Sequence, residues 1–185
     1  TEGEAVLLEH LPKTLKCVLD LGTGDGRLLA LLKIECPQVQ GIAVDFSPIM
    51  LEAARSRFAH DPSVQVIAHN LDEPLPELGQ FEAIVSSFAI HHLSHERKQA
   101  LYAEIYEHLE PGGLFCNLEH VASPTQRLHE HFLRSIGIEP DSEDSSNKLL
   151  DVETQLQWLR DIGFDDVDCY WKWLEMALLI GVKPL

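Results

Sequence analysis

A glycine-rich turn is the feature of this sequence best suited to hold a ligand. The segment Gly22-Thr23-Gly24-Asp25-Gly26 follows the apolar run Cys17–Leu21, which predicts a short buried strand. Glycines at such a point allow a tight turn and let a ligand approach bare backbone. The first N–H groups of the helix that follows face the same space. We therefore expect a ligand site at the carboxyl end of this strand.

A carboxylate further along the chain indicates what the ligand contains. Asp45 ends a second predicted strand, roughly 20 residues beyond the turn, where an acid can accept hydrogen bonds from both hydroxyls of a ribose. Phe46 follows it and can cover the face of an adenine. The dinucleotide fingerprint G-x-G-x-x-G would need glycine at position 27, where the sequence has Arg27. This spacing disfavours a nicotinamide dinucleotide.

Strand and helix patterns alternate along most of the chain. Strands are predicted over residues 17–21, 40–45, 64–68, 82–88 and 114–119, with helices over 27–36, 48–59 and 94–109 between them. Single helices between strands imply parallel pairing with right-handed crossovers. Helices over 124–136 and 152–162 precede two adjacent strands, 165–173 and 176–182, which we expect to be antiparallel. The prediction is a single α/β domain over residues 1–185. Its open, mostly parallel seven-stranded sheet has helices on both faces and an antiparallel C-terminal pair.

Four segments resemble the class I S-adenosylmethionine (SAM)-dependent methyltransferases. Residues 18–26 (VLDLGTGDG) resemble the first motif of that superfamily, and residues 41–50 (GIAVDFSPIM) the second. Residues 81–93 (FEAIVSSFAIHHL) resemble the fourth-strand motif of the small-molecule and ubiquinone-biosynthesis branch, and 109–113 (LEPGG) the turn before the fifth strand. The resemblance implies a Rossmann-like methyltransferase fold, SAM as methyl donor and S-adenosylhomocysteine as product.

The resemblance also implies which residues hold SAM. They lie at the ends of the first four strands: Asp20, Gly22, Thr23, Gly24, Gly26, Asp45, Phe46, Met50, Asn70, Leu71, Ser86 and Ser87. The first acid and the glycine turn would hold the methionine part, the second acid the ribose, and Phe46 and Met50 the two faces of the adenine. Asn70 departs from the family, which usually has an acid there, but its amide oxygen can accept from the adenine amine. The serines would meet the SAM amino group.

Two histidines after the fourth strand are candidate catalytic bases. An imidazole titrates near neutral pH, so His91 or His92 could take a proton from a hydroxyl or ammonium acceptor. Alternatively, one packs beneath the site and the other caps the next helix, because the family commonly has histidine here whatever its substrate. Glu119 and His120 end the fifth strand, face the same crevice and carry the same two interpretations.

The C-terminal third supplies the remaining candidates. Residues 121–150 are predicted to form a lid or substrate-binding insertion, with an acidic, Ser-rich loop at 139–147. His129 and His131 are two apart on a predicted helix and do not share a face, so we expect no metal site there. Side chains alternate between the two faces of a strand, so we expect Trp171, Trp173 and Glu175 on one face. We expect that face to lie in the core or to be covered by a helix.

Amino-acid composition and net charge limit the binding partners and the cellular compartment that we expect for this chain. The formal net charge of −16 repels nucleic acid and anionic lipid at long range. No apolar run approaches the ~20 residues of a membrane helix, and no signal-peptide pattern is visible at the start of the chain. The four cysteines form no C-x-x-C pair, which favours free thiols and a cytoplasmic location. The chain begins without Met inside a predicted helix, so we expect residues upstream of Thr1 that complete the lid.

The leading hypothesis is a SAM-dependent methyltransferase with a small-molecule acceptor. No Asn-Pro-Pro-Tyr-like stretch follows the fourth strand, which argues against methylation of an extruded base amine. A tRNA-modifying methyltransferase is the second hypothesis, although no basic patch supports it. A non-catalytic SAM-binding module is the third, and a nicotinamide oxidoreductase is the fourth. The sequence identifies neither the methylated atom nor the oligomeric state.

Overall fold

Seven strands form a single sheet in the computed structural model, which describes residues 1–185. In chain order they are β1 (Cys17–Leu21), β2 (Gln40–Asp45), β3 (Val64–Ala68), β4 (Phe81–Ser87), β5 (Leu109–His120), β6 (Asp165–Trp173) and β7 (Met176–Val182). The spatial order is β3-β2-β1-β4-β5-β7-β6. The first five strands pair in parallel, and β7 is antiparallel to both β5 and β6. The predicted fold class is confirmed.

Helices cover both faces of the sheet. They are α1 (Glu2–His10), α2 (Arg27–Glu35), α3 (Pro48–Arg57), α4 (His95–His108), α5 (Gln126–Ser135) and α6 (Val152–Ile162), with two short 3₁₀ helices at Ile90–His92 and Pro140–Ser142. Leu7 of α1 and Leu29 of α2 belong to one core layer, whereas Leu101 of α4 and Leu159 of α6 belong to the other. None of the helices combines the length and apolarity needed to cross a bilayer.

The central strands are apolar on both faces because both faces are covered. In β1, Val18 joins the core layer under α1 and α2, while Leu19 and Leu21 join the layer under α4 and α6. The same alternation separates Val85 from Ile84 in β4. Burial on both faces explains why these strands read as continuous apolar runs rather than as alternating patterns.

Local capping explains where several helices begin and end. The Ser94 hydroxyl accepts a hydrogen bond from the backbone N–H of Arg97 at 3.2 Å, so it caps α4 as the sequence predicts. Gly163 ends α6 with a φ of +119°, the left-handed conformation that favours glycine. Ser47 precedes α3, but its hydroxyl makes no capping bond.

The fifth strand is longer than its apolar core. The sequence predicts that it begins after the Pro-Gly-Gly segment, whereas β5 begins at Leu109, which pairs with Phe81. The register shifts between Phe81 and Ala83, and Gly112 has a φ of +79°. Backbone hydrogen bonds from Gly112 to Lys183 and from Lys183 to Gly113, both 2.8 Å, continue the ladder through this irregular part. The glycines form a bulge instead of ending the pairing.

The expectation that Trp171, Trp173 and Glu175 share one face of a strand is confirmed for the two tryptophans and is wrong for Glu175. Trp171 packs against Gly3 of α1, as expected for a helix-covered position, but Trp173 is 40% exposed. Glu175 lies in the turn between β6 and β7 and is fully buried. The ladder of β6 is regular from Trp171 to Trp173, and the φ of +50° at Leu174 then begins the turn, so alternation does not continue to Glu175.

The turn after β1 leaves no room for a side chain at Gly22. Its φ is +68°, and a Cβ built there would lie 2.1 Å from the Cβ of Ala89, which follows β4. Gly79 also has a positive φ, +94°, but a Cβ there would meet nothing within 4 Å. Substitution of each glycine by alanine therefore distinguishes the cost of backbone strain alone from the cost of strain together with a steric clash.

We predict that Gly22→Ala lowers the free energy of unfolding by about 2–5 kcal/mol, through left-handed strain and overpacking together. Gly79→Ala should cost only the strain, about 1–2 kcal/mol. Urea unfolding of both variants measures the difference. Equal losses would show that the turn can move away from Ala89.

Candidate functional site

A cavity opens where β1, β2 and β4 end. Its volume is about 830 Å³, within the range of roughly 300–1,000 Å³ that is typical of small-molecule sites. Ten of the residues predicted from the sequence line it: Asp20, Gly22, Thr23, Gly24, Asp45, Phe46, Asn70, Leu71, Ser87 and His92. The parallel sheet thus gathers side chains that are far apart in the chain at one edge.

The Asp45 carboxylate organises the turn beside it. Its Oδ2 accepts a hydrogen bond of 2.9 Å from the backbone N–H of Gly24. Its Oδ1 accepts from the N–H groups of Phe46 and Ser47, at 2.8 and 2.9 Å. A carboxylate has about four acceptor directions, so these three bonds leave it able to accept from a ligand as well.

Asp20 is a buried acid with one unpartnered oxygen. Its Oδ2 accepts a 2.6 Å hydrogen bond from the Thr23 hydroxyl, while its buried Oδ1 has no partner. Burial raises the pKa of Asp20 to about 7, the Thr23 hydrogen bond opposes the rise, and the charge of Asp45 adds to it. An orphaned carboxylate oxygen at a cavity wall suits a cationic hydrogen-bond donor.

Four predicted site residues do not line this cavity. Ser86 is fully buried and donates to the carbonyl of Leu21 at 2.8 Å, so its hydroxyl points away from the ligand space. Gly26, with a φ of +82°, is the N-cap residue directly before α2. Met50 lies beside the turn, with its sulfur 3.9 Å from where a Cβ on Gly24 would be. His91 faces a neighbouring cavity instead.

The side of the cavity beyond β2 and β3 combines an exposed ring with amide and apolar groups. Phe46 is 68% exposed and stands at the rim. Asn70 uses its side-chain oxygen to accept from the backbone N–H of Asp72 at 3.1 Å, and that oxygen has a second lone pair. Leu71 is buried beside it. This side can take a flat heterocycle with a hydrogen-bond donor.

His91 and His92 have different surroundings. His91 is buried, and its Nδ1 lies 2.7 Å from Oε1 of the fully buried Glu119. His92 lines the large cavity, and its Nδ1 lies 2.9 Å from the hydroxyl of Ser146. The pKa of His92 is lowered, mainly by burial and then by the neighbouring His91. The two rings are 4.0 Å apart, centroid to centroid.

Several cavity residues could not be found from the sequence motifs. Glu4 of α1 and Arg27 form an ion pair at the rim. In the sequence, Arg27 indicated only that the third glycine of the dinucleotide fingerprint is absent. Asp144, Ser146 and Lys148 reach the cavity from the segment predicted as a lid. Their type and spacing match no motif, and only the tertiary fold brings them to the site.

Side-chain hydrogen bonds hold the segment 139–147 and the adjoining Lys148 against the rest of the protein. In addition to the bond between Ser146 and His92, Glu143 Oε2 lies 2.9 Å from His129 Nε2. The Lys148 ammonium donates to the His92 carbonyl at 3.1 Å. His129 also contacts the carboxylate of Glu175 through Nδ1 at 3.0 Å. His131 is exposed on α5.

Comparison with known proteins gives a family and several relatives. The family described as "Methyltransferase domain" matches residues 18–113. An uncharacterized methyltransferase of Mycobacterium tuberculosis, Rv0089, is 39% identical over 94 residues, which cover 51% of this chain and 46% of the relative. A carboxy-S-adenosyl-L-methionine synthase of Desulforapulum autotrophicum is 27% identical over 99% of this chain and 80% of its own length.

The fold has solved counterparts. An O-methyltransferase family protein from Burkholderia thailandensis superimposes with a TM-score of 0.78 at 22% identity, over 97% of this chain and 55% of that one. The chain thus spans about half the length of this structure and of the mycobacterial relative.

The buried Asp20 predicts a dependence of stability on pH. Because its folded-state pKa of about 7 exceeds the ordinary 3.8, the folded state holds the proton more tightly. This tighter binding adds to the free energy of unfolding. The contribution is fully present below the ordinary pKa of 3.8 and is lost as the pH rises through about 7. Asp20→Asn mimics the protonated acid and does not titrate. When the pH is raised from 5 to 8, its free energy of unfolding should therefore fall by about 2–3 kcal/mol less than that of the wild type.

Urea unfolding at both pH values checks this prediction. Asp72→Asn is the control, since that carboxylate lines the same cavity but is exposed. If wild type and Asp20→Asn lost equal stability, Asp20 would be ionised at no cost in the folded protein.

Proposed function

The chain belongs to the methyltransferase-domain family of class I SAM-dependent enzymes, and we propose that it transfers a methyl group from SAM to a small-molecule acceptor. SAM supplies an activated methyl group on a positively charged sulfur. The protein has to bind this donor, orient an acceptor in line with the methyl carbon and exclude water.

The observation that carries the proposal is the unpartnered Oδ1 of Asp20. SAM carries an ammonium group, and a cation at this oxygen would satisfy the buried acceptor and favour its ionised form. Asp45, across the glycine turn, keeps acceptor capacity for the ribose hydroxyls. Phe46 and Asn70 would face the adenine, with Met50 beside the turn. The residues present therefore fit SAM, and the local negative charge suits its sulfonium.

A small acceptor is supported by the charge of the chain. With 14 basic and 30 acidic residues, the chain has little means of binding a phosphate backbone. Asp25, Asp72 and Asp144 also line the cavity and would repel RNA phosphates. Methyl transfer from labelled SAM to tRNA, with none to small molecules, would support the tRNA-modifying alternative. Binding of SAM without turnover on any acceptor would support a binding module.

We predict that Asp45→Ala weakens SAM binding by about 1–3 kcal/mol, the value of hydrogen bonds to a charged acceptor. Isothermal titration calorimetry with SAM and with S-adenosylhomocysteine measures the loss, which should be similar for both because both carry the ribose. NAD should not bind to the wild type.

Glu52→Ala is the matched control, because Glu52 is an exposed acid on the nearby α3. Thermal melting of each variant separates lost ligand contacts from unfolding. Unchanged affinity in folded Asp45→Ala would place the ribose elsewhere, and binding of NAD in preference to SAM would overturn the proposed function.

Chemical modification of SAM itself is a second candidate function. It is favoured by the carboxy-SAM synthase relative, which aligns with 99% of the chain. A carboxylate-bearing product would need a cation, and the Lys148 ammonium lines the cavity with two N–H donors beyond its bond to His92. Mass spectrometry of SAM incubated with the protein and a metabolite extract distinguishes the two functions. Formation of carboxy-SAM, which Lys148→Gln abolishes, would replace methyl transfer as the conclusion.

A further inference from the structure

We propose that a second cavity next to the SAM cavity binds the acceptor, that this acceptor is an uncharged, mostly apolar phenol or enol, and that His91 removes its proton. This inference rests on the proposed function, because it takes the first cavity to hold the methyl donor.

The second cavity has a volume of about 390 Å³ and combines an apolar wall with a row of imidazoles. The apolar wall comes from α5 and its surroundings: Phe132, Leu133, Ile136, Ile138 and Met176. His91, His92 and His120 also line the cavity, and the ring of His120 packs against Phe132, with centroids 5.0 Å apart. A cavity of this kind fits a small ring or short chain that carries one polar group.

The two cavities adjoin each other. Phe88, His92 and Asp144 line both of them. Phe88 has a φ of +52°, a left-handed conformation that is strained for a residue with a large side chain. Phe88 directly follows β4, and its backbone N–H donates to the Leu118 carbonyl at 2.8 Å. Backbone strain retained between two cavities is typical of a functional junction.

The hydrogen bonds around Glu119 determine which nitrogen of His91 is free. Glu119 Oε1 accepts from the backbone N–H of His120 at 2.9 Å, so it acts as an acceptor. The same oxygen lies 2.7 Å from His91 Nδ1, which must therefore carry the proton of that bond. In a neutral imidazole the other nitrogen, Nε2, then has the lone pair. His91 lines the cavity and is held in the tautomer of a base.

Charge and basicity identify the class of acceptor. Glu143 and Asp144 line the second cavity and disfavour an anionic ligand. An amine that is neutral at the working pH needs no base, whereas a hydroxyl gains nucleophilicity when it loses its proton. An imidazole takes a proton from a phenol or enol far more readily than from an aliphatic alcohol.

The hydroxyl proton moves to Nε2 of His91, and an oxygen lone pair forms the bond to the methyl carbon. The carbon–sulfur bond breaks and its electron pair stays on sulfur, so the positive charge of the donor is lost. Glu119, a positioning residue, stabilises the imidazolium, which later gives its proton to water.

The test uses 4-nitrophenol as probe, because its phenolate absorbs visible light. We expect the wild-type protein saturated with S-adenosylhomocysteine to bind it and to show the phenolate band at a pH where free probe is mostly protonated. His91→Asn should keep probe binding but lose the band, since the amide is no base. Its turnover with SAM should fall by about 10²–10⁴-fold. His60→Asn is the control and should match the wild type, because His60 is exposed and lies outside both cavities.

Two further variants test the positioning residue and the wall. Glu119→Gln should weaken the phenolate band while S-adenosylhomocysteine still binds. Ile136→Asp introduces a charge into the apolar wall and should weaken probe binding by about tenfold or more. Ile34→Asp is the matched control, because Ile34 is 72% exposed and outside both cavities.

The outcomes separate this inference from the proposed function. If SAM binds but 4-nitrophenol neither binds nor is methylated, the acceptor assignment is overturned while the donor site stands. A phenolate band that persists in His91→Asn would overturn the role of His91. Methylation of aniline in preference to 4-nitrophenol would overturn the hydroxyl class. Failure to bind SAM, measured separately by calorimetry, would overturn the proposed function as well.

Discussion

The carboxylate of Asp45 links the two strand ends between which the cavity opens. One oxygen accepts from Gly24, in the turn after β1, and the other accepts from the two residues that lead into α3. The turn can approach this carboxylate only because Gly22 has no side chain to meet Ala89. Backbone donors aimed at a carboxylate keep a negative charge at the site, and that charge in turn helps to keep Asp20 protonated. The geometry of the turn and the electrostatics of the cavity therefore have a common origin.

The sequence predicts the sheet and the main cavity well because both depend on short-range patterns. Apolar runs, glycines and the acid after β2 lie in continuous segments, and parallel pairing brings the strand ends together. Ser86 shows where this approach fails. Adjacent residues of a strand face opposite sides, so only one of two consecutive serines, Ser87, lines the cavity, and the motif does not say which. The contacts of Glu119 with His91 and of Glu175 with His120 join residues 28 and 55 positions apart, and no local pattern encodes them.

Buried side-chain polar atoms without a partner lie on β1 and β5, and of their residues only Asp20 lines one of the two cavities. The buried side-chain atoms without a partner are Asp20 Oδ1, Asn117 Oδ1 and Glu119 Oε2. Each costs about 1–3 kcal/mol if it stays unpaired. Asn117 and Glu119 lie in β5 beside a buried polar group in which the Tyr102 hydroxyl donates to Gln155 at 2.6 Å. Asp20 lines the large cavity and Glu119 contacts His91, whereas the amide of Asn117 donates to the Tyr102 hydroxyl at 3.2 Å and lines neither cavity.

Around the second cavity, the carboxylates of Glu119, Glu143 and Glu175 pair with histidines rather than with lysines or arginines. His91 contacts Glu119, and His129 lies between Glu175 and Glu143. Burial lowers the pKa of His129, but its hydrogen bonds to the two carboxylates outweigh burial and raise it. Its ionic attachment of the segment 139–147 is therefore strongest below that raised pKa and weakens as the pH rises through it. Because Glu143 also lines the second cavity, the wall of that cavity and the orientation of His91 depend on the same kind of imidazole–carboxylate contact. An imidazole can hold a carboxylate by a neutral N–H bond and still exchange a proton, which a lysine or arginine in the same place could not do near neutral pH.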